Sequence, residues 1–570
     1  MRLGRGPGRI AGIVVAGLAL AGCTAEPGPA PTSSGEPPAG ALAPTGWQVA
    51  PRDDVADGGT LTLPVDALPA NYLLYHPDSG FPDDFIISTL SVPSFVTIGT
   101  DGGWEADPDY AESLEVTGTD PQVVELRINP DAVWSDGTPI TYRDVAATWA
   151  ALSGLDAEFS VFPHPVWQTV ASVERGDDDR DVIITFAQPN AEWPGGLQLV
   201  YPEWLLDSPE DAASAWADGP MAANGTDYVS AGAYVVDTID PDAQVLTFTR
   251  NPRWWGDEPK LDTIAFRAVD RTNAGQTFAN REIDAVDVYG DADTLASVQG
   301  RSDAVVARSL STLVRQITLN GTAGPFADPA ARKAFAVALD RVQLAEAVVG
   351  AIGAPAETTG SLVLLPGQRG YTDHLSDELT GSADDALAIL ADAGYDIGDD
   401  GVAAKDGERL DVRFVIPADT PPSTAVAQLV KQQTEPAGFD VEVVTLPVAD
   451  WDAATTTDTR DFDATYFGLG GSAFPLASAQ WGFYPADSPG NLGGVSDERL
   501  EDLFAQASAD LDPDARTALA NEIDGIVTHL FTVIPLFVEP NTWGLREDLA
   551  NYGPSQFETV RWQDVGFTSE

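Results

Sequence analysis

Apolar residues along this chain switch between a spacing of two and a spacing of three to four, with no fixed repeat length. Thr60 to Leu63, Val123 to Ile128, Leu410 to Ile416, Val441 to Leu446 and Thr532 to Val538 read as short strands. Helical stretches lie among them, and polar caps mark where they begin. Thr141 with Asp144 three residues later predicts a capping box opening a helix to Leu152, and Ser382 with Asp385 repeats the device. Asp328-Pro329 and Asp512-Pro513 each join a carboxylate cap to a proline in the first turn. The second of these helices should run to about Leu530. Asp340 is expected to cap another helix and Gly394 to end one. Asp136-Gly137, inside Trp134 to Pro139, signals a tight turn. Gly398-Asp-Asp-Gly401 reads as a hairpin turn, because a calcium loop counted from Asp396 would need glutamate where Gly407 stands. Strands interleaved with helices in this way predict an α/β fold.

One apolar run is of another kind. Ile10 to Gly22 follows Arg2, Arg5 and Arg9 and ends at Cys23, the only cysteine. About a dozen apolar residues are too few to cross a bilayer of roughly 30 Å, so residues 1–22 read as a secretory signal. Leu20-Ala21-Gly22-Cys23 resembles a bacterial lipobox, which implies acylation of Cys23 and anchoring to a membrane through that lipid. Two or more acyl chains are needed for a stable anchor. Residues 23–45 are dominated by Pro, Gly, Ser, Thr and Ala and cannot pack a core. They are expected to form a flexible tether spanning roughly 25 Å.

The chain has 570 residues, of which 44% are hydrophobic and only 21% charged, enough for more than one buried core. Its net charge is -58, with 88 acidic against 30 basic residues, and no basic cluster is present. That balance argues against nucleic acid and against adhesion to anionic lipid. His76, His164, His374 and His529 are scattered, without HExxH or CxxC spacing. Gly470-Gly471-Ser472 lacks the next glycine of a nucleophile elbow. No catalytic residue, metal or cofactor is expected.

Several motifs then occur in an informative order. They are Val133-Trp-Ser-Asp-Gly-Thr-Pro-Ile-Thr-Tyr-Arg-Asp-Val145, Gly232-Ala-Tyr234 with Arg250-Asn-Pro-Arg-Trp-Trp-Gly256 and Pro259-Lys-Leu-Asp262, and Leu319-Asn320 through Pro325-Phe-Ala-Asp328, Arg332-Lys-Ala334 and Ala338-Leu-Asp-Arg341. Ala391 to Tyr395, Asp461 to Asp463 and Arg281 to Asp284 are smaller echoes. Together they resemble the family 5 extracellular solute-binding proteins, the dipeptide, oligopeptide and nickel receptors of ABC importers. Trp134, Trp149, Asp136-Gly137 and Arg250 to Pro252 are read as fold-forming residues within these motifs.

The resemblance implies a two-lobed periplasmic-binding-protein type II (cluster C) fold with an extra subdomain inserted in the first lobe. Residues 46–88, 233–314 and 541–570 would form lobe I, 89–232 the inserted subdomain and 315–540 lobe II. The strands joining the lobes are expected near Arg315 to Gly321 and near Pro535 to Trp543. Function follows as binding of a small molecule, a short peptide first, and its delivery to the permease and ATPase subunits of an importer by a monomeric, lipid-anchored receptor on the outer face of the bacterial cell membrane. A sugar, an opine-like compound or a metal chelate is the alternative ligand; a surface hydrolase or a sensor is a reading from another class.

Family peptide receptors hold the ligand's ammonium with an aspartate in a loop matching Tyr466 to Phe474 here. Leu469 then stands in place of a tryptophan and Ser472 in place of that aspartate. Another carboxylate reaching the pocket, a shifted peptide, or a ligand without an ammonium would each accommodate the change. The candidate ligand-binding residues are Tyr466, Phe467, Gly470, Gly471, Ser472, Ala473, Phe474, Trp481 and Asn320.

Overall fold

The computed structural model describes residues 42–569 apart from 70, 78, 80–82, 157, 207–221, 224–226 and 419. The signal segment, Cys23 and all of the tether up to residue 41 lie outside the described residues. Among those described, no helix is long and apolar enough to cross a membrane.

Local signals place most of the helices. Thr141 accepts from the backbone of Arg143 while Asp144 accepts from Thr141 N at 2.7 Å, so the capping box closes and opens helix Tyr142–Leu152. Asp328, Asp340 and Asp512 cap helices Pro329–Val337, Arg341–Val349 and Pro513–His529. Ser382 caps Ala383–Asp392 by accepting from Asp385 N at 3.1 Å. The reciprocal half of that box is not made, because Ser382 N donates to Val337 O and the Asp385 carboxylate accepts from Thr380. Gly137 has φ +94° in its turn, where a side chain would be strained. Asp396–Ile397 and Ala403–Lys405 form the expected hairpin.

Two large cores result. One fills the space around residues 61–285 and takes Ala307, Leu545 and Val565 from later in the chain, with Trp134, Trp167, Tyr201, Tyr234 and Phe248 fully buried in it. It is built on two four-stranded sheets, one ordered Thr60–Val65, Thr263–Ala268, Val245–Arg250, Tyr234–Asp240, the other Ala111–Thr119, Gln122–Ile128, Asp181–Phe186, Val170–Arg175. The other core lies within residues 317–537 on a six-stranded mixed sheet. Its order is Glu357–Thr358, Val533–Val538, Leu313–Leu319, Ala464–Gly470, Asp411–Pro417, Asp440–Leu446. Val533–Val538 is buried along its whole length, as a run without polar alternation requires.

A three-stranded sheet of Ala285–Asp287, Asn541–Arg546 and Ala304–Ser309 adds Ala285, Ala307 and Leu545 to the first core. The chain passes from it to the six-stranded sheet at residues 310–312 and returns at 539–540. The two passages are bonded to each other: Glu539 N donates to Leu313 O at 2.9 Å, Ser311 Oγ donates to Glu539 O, and Arg315 pairs with the Glu539 carboxylate. The first passage therefore precedes the expected Arg315 to Gly321, because residues 313–319 already pair on both sides within the six-stranded sheet. Pro540, which has no N–H to continue a ladder, marks the second.

Candidate ligand-binding site

Register decides which residues of the six-stranded sheet share a face. Val314 lies opposite Leu469, Gln316 opposite Phe467 and Thr318 opposite Thr465, and side chains alternate along each strand. Val314, Gln316, Thr318, Phe467 and Leu469 line a cavity of about 540 Å³, closed by helix Leu476–Phe483 and by residues 362–365, 455–457 and 489–492. Such a volume suits a small organic ligand.

None of the lining side chains is charged. Polar capacity comes from Gln316, Thr318, the hydroxyls of residues 455–457 and Ser478. Leu469 and Trp481 are 46% and 54% exposed at its walls, although both are large and apolar. The Trp481 ring lies flat against Gly490, where any Cβ would come within 2.3 Å of it. Gly470 and Gly482 also line the cavity, and a Cβ on either would meet no heavy atom within 4 Å.

Of the residues expected from the sequence, Phe467, Gly470, Gly471 and Trp481 come together around this cavity. Ser472, Phe474 and Trp481 line an adjoining hollow of about 630 Å³, and Ala473 and Phe474 face a smaller one of about 200 Å³. The Ser472 hydroxyl is turned back on its own loop, donating to Phe474 O at 2.9 Å.

Tyr466 and Asn320 stand apart. Tyr466 alternates with Phe467, so its ring is buried in the core on the opposite face, and burial raises its phenol above the ordinary range. Asn320 donates to Arg460 O and Phe462 O, both at 3.2 Å, and accepts from Thr322 N and Oγ1. Its amide is fully used in joining two loops. Asn320→Ala is therefore expected to cost about 3 kcal/mol of stability by stranding buried polar groups, read as a lowered urea midpoint.

Glu192 escaped the sequence reading. Helix Leu476–Phe483 begins after Pro475 and has no side-chain cap of its own. Glu192, from the other core, supplies one: it accepts from Leu476 N at 2.8 Å and Ala477 N at 3.3 Å. Beside it Ala191 N donates to Ser508 O at 2.7 Å, and Gly195 lets the Phe474 ring approach where a Cβ would sit 3.1 Å from it. Burial pushes the Glu192 carboxyl up to about 7, against the two backbone donors, which favour its charge. The uncapped Pro475 start was the one available sign that a distant residue must act there.

Residues 105–491 match the family model of the bacterial extracellular solute-binding proteins, family 5. The oligopeptide-binding protein OppA of Mycobacterium tuberculosis is 32% identical over 520 residues, covering 90% of this chain and 85% of that protein. The probable monoacyl phosphatidylinositol tetramannoside-binding protein LpqW of the same organism is 26% identical over 511 residues, covering 82% and 76%. Among solved structures, the periplasmic EDTA-binding protein EppA superposes with a TM-score of 0.81 at 24% identity, covering 93% of this chain and 99% of that one. The oligopeptide-binding protein AppA of Bacillus subtilis, in complex with a nonapeptide, gives 0.69 at 17%, covering 90% and 100%. The fold is thus the two-lobed type II fold of the periplasmic binding proteins. The chain belongs to the family 5 bacterial extracellular solute-binding proteins. Its role is to bind a solute, in a family of binding proteins and not of enzymes.

Proposed function

We propose that this protein is a lipid-anchored receptor on the outer face of the bacterial cell membrane. It holds a short peptide between its lobes and hands it to an ABC permease with its ATPase. Residues 46–88, 233–314 and 541–570 form lobe I in this reading, 89–232 a subdomain inserted in it, and 315–540 lobe II. Cys23 carries the lipid, residues 23–45 let a monomeric body reach the permease, and Phe467, Gly470, Gly471, Ser472, Ala473, Phe474 and Trp481 surround the ligand.

The observation that carries the reading is the cavity on the strand pair Leu313–Leu319 and Ala464–Gly470, beside the passages between the two cores, together with the adjoining hollow, whose walls come from residues 164–198 on one side and 472–508 on the other. A movement of one lobe against the other about those passages opens or covers it. The relationship to OppA supports a peptide. A metal chelate bearing several carboxylates would need cationic partners, and the cavity walls supply none.

Mass spectrometry of the material that co-purifies with the native protein tests this. A ladder of short peptides is the expected result. A single non-peptide compound at one equivalent would overturn the peptide assignment.

A further inference from the structure

The walls of the main cavity differ sharply from the rest of the chain. Charged residues make up 21% of the sequence, yet none lines this space. An ammonium group moved from water into such a site loses its hydration and gains no carboxylate, which is strongly unfavourable.

Two carboxylates from neighbouring elements are already engaged. Both Glu192 oxygens accept backbone hydrogen bonds from the start of helix Leu476–Phe483. Glu539 is paired with Arg315, which by strand alternation points away from the face that carries Gln316. Ser472 spends its hydroxyl on Phe474. What the site does offer is two large apolar side chains left partly exposed, Leu469 and Trp481, with the Gln316 carboxamide and the Thr457 hydroxyl for a peptide backbone; the hydroxyls of Thr455, Thr456 and Ser478 are already bonded within the protein. The adjoining hollow shares Ser478 and Trp481 with it, so the two spaces are neighbours along helix Leu476–Phe483.

Resting on the peptide reading above, we propose that this receptor selects uncharged peptide segments with bulky apolar side chains, and that the ligand's free amino terminus takes no part in recognition. The cavity receives the interior of the peptide, and the ends lie outside its apolar walls.

A random pentapeptide library in which half the chains are N-acetylated and half free tests this by capture on the full-length protein and mass spectrometry. Captured peptides are expected to be enriched at least tenfold in Leu, Ile, Phe and Trp over Lys, Arg, Asp and Glu, with acetylated and free forms retained within threefold of each other. Leu469→Asp places a carboxylate at an exposed wall position and should shift the captured set toward Lys and Arg. A tenfold preference for free amino termini, or for charged side chains on the unaltered protein, overturns the inference and leaves the peptide reading standing. Capture of no peptide at all overturns both.

Discussion

The melting temperature is expected to rise by several degrees as the pH is lowered from about 8 to about 6. Five buried carboxyls drive this. Burial pushes Glu192 and Asp287 up to about 7, and Asp107, Asp144 and Asp524 up to about 6. Each binds its proton more tightly in the folded chain than in the unfolded one, where the ordinary values are 4.5 and 3.8. The stability they contribute through protonation therefore appears as the pH falls through the folded values and is complete only below the unfolded ones. For Glu192 alone the full span is worth about 3 kcal/mol. Weaker self-repulsion in a chain of net charge -58 acts in the same direction as carboxylates are neutralised.

Two opposing terms set the lower edge of the window. His164, held down to about 4 by burial, resists protonation when folded, so its contribution falls as the pH drops below the ordinary 6.5. Asp303, held at about 2 by hydrogen bonds from Arg301 and Arg281, loses its stabilising charge only below its ordinary 3.8. The raised carboxyls outnumber His164, so the rise continues below pH 6 and turns over only as the pH nears the ordinary carboxylate values, at about 4. Differential scanning calorimetry across this range measures it, and Glu192→Gln should flatten the profile between about pH 6 and 8, since an amide stays neutral and still accepts one backbone bond. A melting temperature that stays level or drops on acidification from 8 to 6 contradicts the account.

Gly482→Trp is expected to lower ligand affinity at least a hundredfold while leaving the fold intact. Gly482 lies in helix Leu476–Phe483 and lines the cavity, and a Cβ there meets nothing within 4 Å. The new side chain leaves the helix into open space on the cavity side, where the ligand would lie. Replacing glycine within a helix also removes unfolded-state freedom worth roughly 0.5–1 kcal/mol, so the melting temperature should hold or rise slightly. Gly490→Ala is the contrasting change, because its Cβ would strike the Trp481 ring and force that wall to move. Calorimetric titration with the co-purifying peptides reads both variants. Unchanged affinity in Gly482→Trp would mean that the ligand lies elsewhere.

The sequence and the structure agree most closely where the physics is local. A side chain that caps a helix finds its partners within three residues, so Thr141, Asp328, Asp340 and Asp512 announced their helices directly. Even there the Ser382 box closed only halfway, since a backbone carbonyl of a neighbouring helix took the donor that Asp385 was expected to engage. The family followed from motifs whose residues fold loops and fill cores: Trp134 is buried, Gly137 turns the chain, and Arg341 satisfies carbonyls between distant strands.

The binding surface divided differently. The loop after Ala464–Gly470 could be picked out, but alternation alone does not say which of two neighbours faces the ligand. Tyr466 went to the core and Phe467 to the cavity because helices cover one face of the sheet and leave the other to the cleft. Asn320, polar and beside a strand end, was drawn into loop closure by carbonyls of residues 460 and 462 that only folding brings near. Glu192 caps a helix 284 positions away. The chain by itself thus determined five of its helix starts, five of its strands and its family, because those rest on contacts between near neighbours and on recurring fold-forming motifs. Tertiary structure alone decided the charge-free cavity and the carboxylate that holds its helix, because the first is lined by segments scattered over residues 314–533 and the second reaches across from the other core.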